Sequence, residues 1–445
     1  MPELLSLPTE ILRNIFAQAD QETCKSLRLV NRNLGEVGQQ SVFETLVIQL
    51  TQDYYGYDLE KIIERPEIAA HINKIYVNTY DPNEPELWLG KDETSESLGA
   101  LLELLKQLPH LQSVVLRFHP ECPEDDSWSE TPQGEDFRQA AMQEALSAFA
   151  AMPQLKELGL RDLWNVHDED PEVVADRKTV LSRLESLRLN VINVNQGMQG
   201  SSDYHREAPQ KFWPSLPSIW LMPALSNLRH LTLYSTIYTG FFPRCDWRDL
   251  HFPQLKSLTL GNHVFAHDSQ LNWILSHSPT LSELYLDDCA ILFEAAVFAE
   301  KLERYETRQH TILPPSSFAP HPKLPAYKLY AAYSMRWADY FRAFKDGLPH
   351  LRKFRFGHSP DWWVDDSMPF ESEGSIEIGF GSESYLVFCD GYLPSEHMER
   401  MIWDIPTEDG GERDEKGEAL EPSEEDRVAL EELCRKVGVV VTLED

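Results

Sequence analysis

One spacing recurs along this chain and limits what it can fold into: an apolar residue, two others, a leucine, one other, and a second leucine. Copies stand at Leu111, Val114, Leu116; Leu155, Leu158, Leu160; Leu184, Leu187, Leu189; Leu228, Leu231, Leu233; Leu255, Leu258, Leu260; Leu281, Leu284, Leu286; and Leu351, Phe354, Phe356. A weaker copy is Ile72, Ile75, Val77. The fourth and sixth positions share one face of a strand, and the stretch before each copy has helical spacing, as in Leu101, Leu102, Leu105, Leu108 or Ala141, Ala145, Phe149, Met152. One helix and one strand cannot close a core. Such units must stack, so that the leucines form a continuous ladder.

Starting positions are separated by 39, 44, 29, 44, 27, 26 and 70 residues. The three shortest intervals fall in or at the edge of the leucine-rich-repeat range of about 20 to 29 residues. The longer ones imply insertions, and the interval of 70 has room for a hidden degenerate copy. The expected fold class is α/β: a leucine-rich-repeat solenoid of helix–strand repeats, horseshoe-like, with inserted loops. A C-terminal cap is expected from Ser423 with Asp426, a helix over Val428 to Lys436, a stop at Gly438 and a strand over Val439 to Leu443.

The first fifty residues follow another pattern. Pro8 suits a first helical turn, and Ile11, Leu12, Ile15, Phe16 and Ala19 make a stripe at helical spacing. Cys24, Leu27, Leu29 and Val30 form a second group, followed by Leu34, Val37 and Phe43. Three short helices are predicted. So small a unit buries little of its own apolar surface, so some of these side chains serve either a partner or the adjoining repeats.

The order Leu7-Pro8-x-Glu10-Ile11-Leu12-x-x-Ile15-Phe16, then Leu27-x-Leu29-Val30-Asn31-Arg32, closely resembles the F-box, the motif that docks on the Skp adaptor of cullin-RING (SCF) ubiquitin ligases. The resemblance covers residues 4 to about 46, and a following leucine-rich-repeat array is similar to a common companion, especially among fungal members. It implies a three-helix F-box domain over 1–46 and the solenoid with its cap over 47–445. By the same resemblance Leu7, Pro8, Ile11, Ile15, Phe16, Leu27 and Val30 are the adaptor-binding positions. Ala19, Thr23-Cys24 and Asn31 depart from the family's pattern. The implied function is a non-catalytic substrate-recognition subunit, holding the adaptor, and through it cullin, with one part and a target protein with the other. The alternative is a binding scaffold that does not direct ubiquitination.

Target binding has two candidate surfaces. Inserted residues follow the repeat strands, at 81–94, 118–136, 162–178, 191–218, 234–250 and 357–375, and therefore emerge on one rim. These segments carry Trp88, Trp128, Trp164, Trp213, Trp247, Trp362 and Trp363, seven of the eleven tryptophans. Trp128, Trp164, Trp213 and Trp247 are read as partner anchors or as pins holding their own loops. The second surface comprises strand positions that alternate with the leucines. It offers Arg117, Arg161, Arg188, Lys353 and Arg355 with His230, Tyr234 and Tyr285, against Glu157, Glu283 and Asp287. This slight basic excess would favour an acidic or phosphorylated segment; ordinary solvated surface explains it equally.

Charge and composition narrow the function. With 40 Lys plus Arg against 73 Asp plus Glu, the net charge is −33, the wrong sign for a polyanionic nucleic acid. Six scattered cysteines without a C-x-x-C pair argue against a zinc ribbon or a disulfide scaffold. Neither a signal peptide nor a long apolar run is evident, so a cytoplasmic or nuclear protein without a membrane partner is expected. His263 and His267 lack a third metal ligand, Gly379-x-Gly381 lacks a Walker lysine, and Ser382 and Ser384 form no nucleophile elbow. No cofactor, metal or catalytic residue is expected. The acidic stretch 404–432 and the proline-rich 313–325 read as solvated connections.

Overall fold

A computed structural model describes residues 7–50, 57–81, 84–88, 94–120, 133–192, 207–300, 302, 313–359, 373–390, 395–406 and 412–441. It is a mixed α/β chain rich in parallel strands, in two compact units. The first comprises residues 1–119, 129–160 and 170–183; the second comprises 120–128, 161–169 and 184–445.

The first unit opens with four short helices rather than the predicted three, because Gly38 divides the last apolar group: α1 (Thr9–Gln18), α2 (Gln21–Arg28), α3 (Arg32–Val37) and α4 (Gln39–Phe43). Each start has a local cause. The Pro8 carbonyl accepts the first amides of α1, Asp20 accepts from the Thr23 amide at 2.7 Å, and Asn31 accepts from the Leu34 amide at 2.9 Å. Leu12, Phe16, Cys24, Leu34 and Val42 form the module's core. At Gly38 an added Cβ would come within 2.3 Å of the Phe16 ring, so glycine is what lets the ring pack against the backbone. The chain then enters β1 (Thr45–Gln49) directly after Glu44. A boundary at residue 46 therefore falls inside a strand.

Crossover helices α5 (Tyr57–Ile63) and α6 (Pro66–Ala69) lead from β1 to β2 (Lys74–Asn78). After a hairpin of β3 (Tyr80–Asp81) and β4 (Glu84–Trp88), helix α7 (Thr94–Leu105) leads to β5 (Ser113–Arg117), and α8 (Glu135–Ala150) leads to β6 (Glu157–Trp164). Parallel strands require such crossovers. The ladder holds the motif in register, with Ile75 level with Val114 and Val77 with Leu116. Helix α9 (Pro171–Leu181) packs beside α8.

In the second unit, β7 (Ser186–Ile192) precedes α10 (Glu207–Leu216), β8 (His230–Ser235), β9 (Ser257–Gly261), the short β10 (Val264–Phe265), α11 (Asp268–Ser276) and β11 (Glu283–Asp287). Strands β12 (Ala290–Phe298) and β13 (Lys328–Ala332) come next, followed by a helix at Trp337–Gly347 and β14 (Lys353–His358). Strands β7, β8, β9, β11 and β14 run parallel, and the motif residues stand level across them: Leu187, Leu231, Leu258, Leu284, Phe354 in one row and Leu189, Leu233, Leu260, Leu286, Phe356 in the next. All ten are buried. The backbone two residues past the last motif position repeats too. Asp162, Asn262 and Asp288, each just beyond the strand motif, have φ of 58°, 51° and 47°, a left-handed conformation that Asp and Asn tolerate best among residues with a Cβ.

Among the described residues the interval of 70 adds no further strand between β11 and β14 in their sheet. Strand β11 pairs directly with β14, and β12 instead builds a second sheet, in the order β10, β12, β16 (Tyr385–Asp390), β17 (Ser395–Met398), with β13 added antiparallel to β12. Phe241, Phe242, Val264, Leu292 and Phe388 are among its core residues. Residues 404–432 also differ from a simple connection. They include parts of a hairpin, β18 (Ile402–Pro406) with β19 (Glu412–Lys416), and the start of a helix over Glu424–Lys436. Residues 313–325 are not a solvated connection throughout: they hold a 3-10 turn at Pro315–Ser317, Ala319 bridges to Tyr330, and Phe318 and Leu324 are buried. The capping box of Ser423 and Asp426 forms as predicted and Gly438 ends the helix at φ 84°, but residues 439–441 are not a strand and 442–445 lie outside the described residues.

Asp426 ties the C-terminal helix down. It is fully buried, accepts from Arg336 Nη2 at 2.7 Å and from the Ala338 amide at 2.9 Å, and so joins two helix starts. Burial alone would raise its carboxyl, but these donors and Ser423 hold it below the ordinary carboxylate range.

Candidate functional site

The N-terminal module divides its predicted adaptor positions between inside and outside. Phe16 is 2% exposed and belongs to the module's own core, which corrects its reading as a docking residue. Leu7, Ile15 and Leu27 pack partly against that core. Pro8 is exposed, Ile11 is 44% exposed and Val30 66%, and Leu29, which the resemblance did not select, is 84% exposed. Of nine large apolar side chains left exposed among the described residues, three fall between positions 11 and 30. That concentration distinguishes the module from the rest of the surface. The departures from the family's pattern have local roles: Cys24 is buried with its thiol against the Phe16 carbonyl at 3.2 Å, and Asn31 caps α3.

Of the two readings of the tryptophans, burial favours packing over partner anchoring. Trp164, Trp213 and Trp247 are all buried, and Trp128 lies outside the described residues. Trp213 sits in α10 with its ring edge-on to Phe212 at 5.5 Å. Trp247 donates from Nε1 to Cys245 Sγ at 2.8 Å and stacks on the His263 ring at 4.7 Å. The three described rings are packing residues rather than exposed anchors.

The alternating strand positions are likewise less open than their spacing implies. In the second unit Thr232, Thr259, Tyr234 and Tyr285 are buried, as is Arg161. Glu373, from a short 3-10 turn at Glu373–Ser375, lies against them: it pairs with Arg188 and stands 3.4 Å from the hydroxyls of Thr232 and Thr259. One position further along, the Tyr234 hydroxyl donates to Asp287 Oδ2 at 2.7 Å, reaching across β9. An added Cβ at Gly261 would come within 2.0 Å of the Tyr234 ring, so the intervening strand must be bare there.

Beyond the ends of these strands lies a cavity of about 510 Å³, lined among others by Thr236, Tyr238, Asn262, Asp288, His358 and Glu383. His358 Nδ1 meets Asp288 Oδ2 at 2.8 Å. Asp287, Asp288 and His358 bring ligand-type atoms within 4.8 Å of one another. Asp287 is nonetheless committed to the fold, since its two oxygens accept from the Tyr234 hydroxyl and, at 2.8 Å, the Ser359 amide. His263 and His267 are also structural. His263 is buried against Gln270 Nε2 at 3.0 Å, and His267 caps α11.

Burial pushes the Asp287 carboxyl up to about 7, with Asp288 adding to the rise and the Tyr234 hydroxyl opposing it. A raised acid penalises the folded state as pH climbs from the unfolded value near 4 through about 7. Asp287→Asn keeps an acceptor for the Ser359 amide and can donate to the Tyr234 oxygen. It is therefore expected to be more stable than wild type at pH 8, on the order of 1 to 3 kcal/mol, and nearly equal at pH 4.5. Urea unfolding at the two pH values checks this; a difference independent of pH would contradict it.

The sequence pattern marks none of Glu373, Thr232, Thr259 and His358 as a site residue. The threonines occupy the motif position between its last two leucines, a signal that was available; Glu373 lies in no motif copy.

Among the described residues no helix is long and apolar enough to cross a membrane. No family model matches this chain. No curated protein matches it either.

Proposed function

We propose that this chain is a substrate-recruiting subunit of a cullin-RING ubiquitin ligase, an F-box module followed by a leucine-rich-repeat array. The observation that carries the reading is the exposure of Ile11, Leu29 and Val30 on a four-helix module whose sequence runs Leu7-Pro8-x-Glu10-Ile11-Leu12. A small module that buries Leu12, Phe16 and Leu34 yet leaves Ile11, Leu29 and Val30 exposed is suited to lie against an apolar partner. The level rows of leucines support a repeat array as the second half.

On this reading the chain does no bond chemistry. It holds the Skp adaptor at one end and a target protein at the other, and tethering raises the target's effective concentration at a ubiquitin-charged enzyme. The test is isolation of the tagged full-length chain from cells under mild conditions. Adaptor and cullin are expected among the retained proteins, and at least one other retained protein should become longer-lived when residues 7–43 are deleted. Retained adaptor with unchanged lifetimes of every other bound protein would leave only a scaffold, and absence of the adaptor would defeat the proposal.

A further inference from the structure

Three consecutive parallel strands of the second unit present Arg188, Thr232 and Thr259 side by side in register. Arg188 Nη1 stands 3.2 Å from the Thr232 hydroxyl, and a single carboxylate oxygen of Glu373 meets the guanidinium and both hydroxyls. The two charged side chains retain only 16% and 13% of their exposure. Past Glu373 the segment is held separately: Ile376 is fully buried, its carbonyl accepts from Arg355 Nη1 at 2.7 Å, and β15 (Glu377–Ile378) pairs with β14. Between the carboxylate and that anchor stands Gly374, where an added Cβ would meet nothing within 4 Å. Glu373 thus enters the site as one side chain, joined to the anchored part through a glycine with open space beside it.

We propose that Arg188, Thr232 and Thr259 form an oxyanion receptor for an acidic side chain of a bound protein segment, with Glu373 its internal stand-in. The selectivity follows from electrostatics. A neutral or cationic group displacing Glu373 would leave a mostly buried guanidinium unpaired, which costs far more than exchanging one oxyanion for another. A tethered carboxylate competes at high effective concentration, so the incoming segment meets a mostly filled site. Calling that segment a ubiquitination target rests on the receptor reading above; the oxyanion site itself does not.

The test uses the full-length chain, its Glu373→Ala variant, and a fluorescent peptide with the sequence of residues 373–378, in three forms carrying Glu, phosphoserine or Gln at the first position. Binding of the Glu or the phosphoserine form should be at least roughly tenfold tighter to Glu373→Ala than to wild type, and whichever gains more identifies the natural oxyanion. The Gln form should show no gain. Adding Arg188→Gln should erase the gain, and adding Thr232→Val with Thr259→Val, which keeps the charge and shape, should reduce it about threefold or more. Equal binding by Glu373→Ala and wild type, or a gain that survives either addition in a protein melting normally, would overturn the proposal. Adaptor capture measured on the same preparations separates failure of this site from failure of the ligase reading.

Discussion

Replacing Ile11 and Val30 together with aspartate is expected to abolish capture of the Skp adaptor while leaving the melting temperature of the chain nearly unchanged. Both side chains are exposed in the free chain, and substitutions at such positions usually change stability by no more than about 0.5 kcal/mol. Under the proposed adaptor they would become buried anchors. Loss of one anchor costs about 2 kcal/mol or more, roughly thirtyfold, and placing a carboxylate there adds an unpaired buried charge. The pair should therefore lose at least about a hundredfold in affinity. Phe16→Ala should behave in the opposite order, because that ring fills the module's core: stability falls by about 3 to 5 kcal/mol, and adaptor capture fails only because the module loosens. Affinity and melting measured on both variants separate a docking face from a core. Equal loss of stability in the double variant would show that Ile11 and Val30 are packing residues.

Trp213→Ala and Trp247→Ala are each expected to destabilise the second unit by about 3 to 5 kcal/mol. Both rings are buried, and Trp247 holds an aromatic stack with His263 and an edge contact with Trp273 at 4.9 Å. Truncation leaves a cavity that neighbouring strands cannot collapse into. Urea unfolding checks the expectation. A loss below about 1 kcal/mol at Trp247 would mean that its loop is held by other contacts.

The repeat strands were legible because period and pairing coincide: residues such as Leu258, Leu284 and Phe354 must stand level if their strands pair in the motif's register, and they do. The helical module was legible for a related reason, since Leu12, Phe16 and Leu34 follow the spacing of short amphipathic helices. What the spacing could not show is direction. It located the tryptophans on inserted segments, but whether a ring on an insertion turns toward solvent or back to the chain depends on contacts far away in sequence, such as Trp247 with His263 and Trp273. The second sheet escaped for a similar reason. Strand β12 meets β16 almost a hundred residues later, and neither carries the leucine spacing. The ion pair of Arg188 with Glu373 spans 185 positions, and no local pattern announces it.

The proposed role of the N-terminal helices as an adaptor-docking module is open to a direct test. Purified full-length chain mixed with the Skp adaptor at about 10 µM and measured by light scattering after gel filtration tests it most directly, because a micromolar or tighter complex is populated at that concentration. A single 1:1 complex is expected with wild type, and two separate species with the Ile11→Asp, Val30→Asp double variant. Separate species with the wild-type chain, correctly folded by its melting transition, would contradict it.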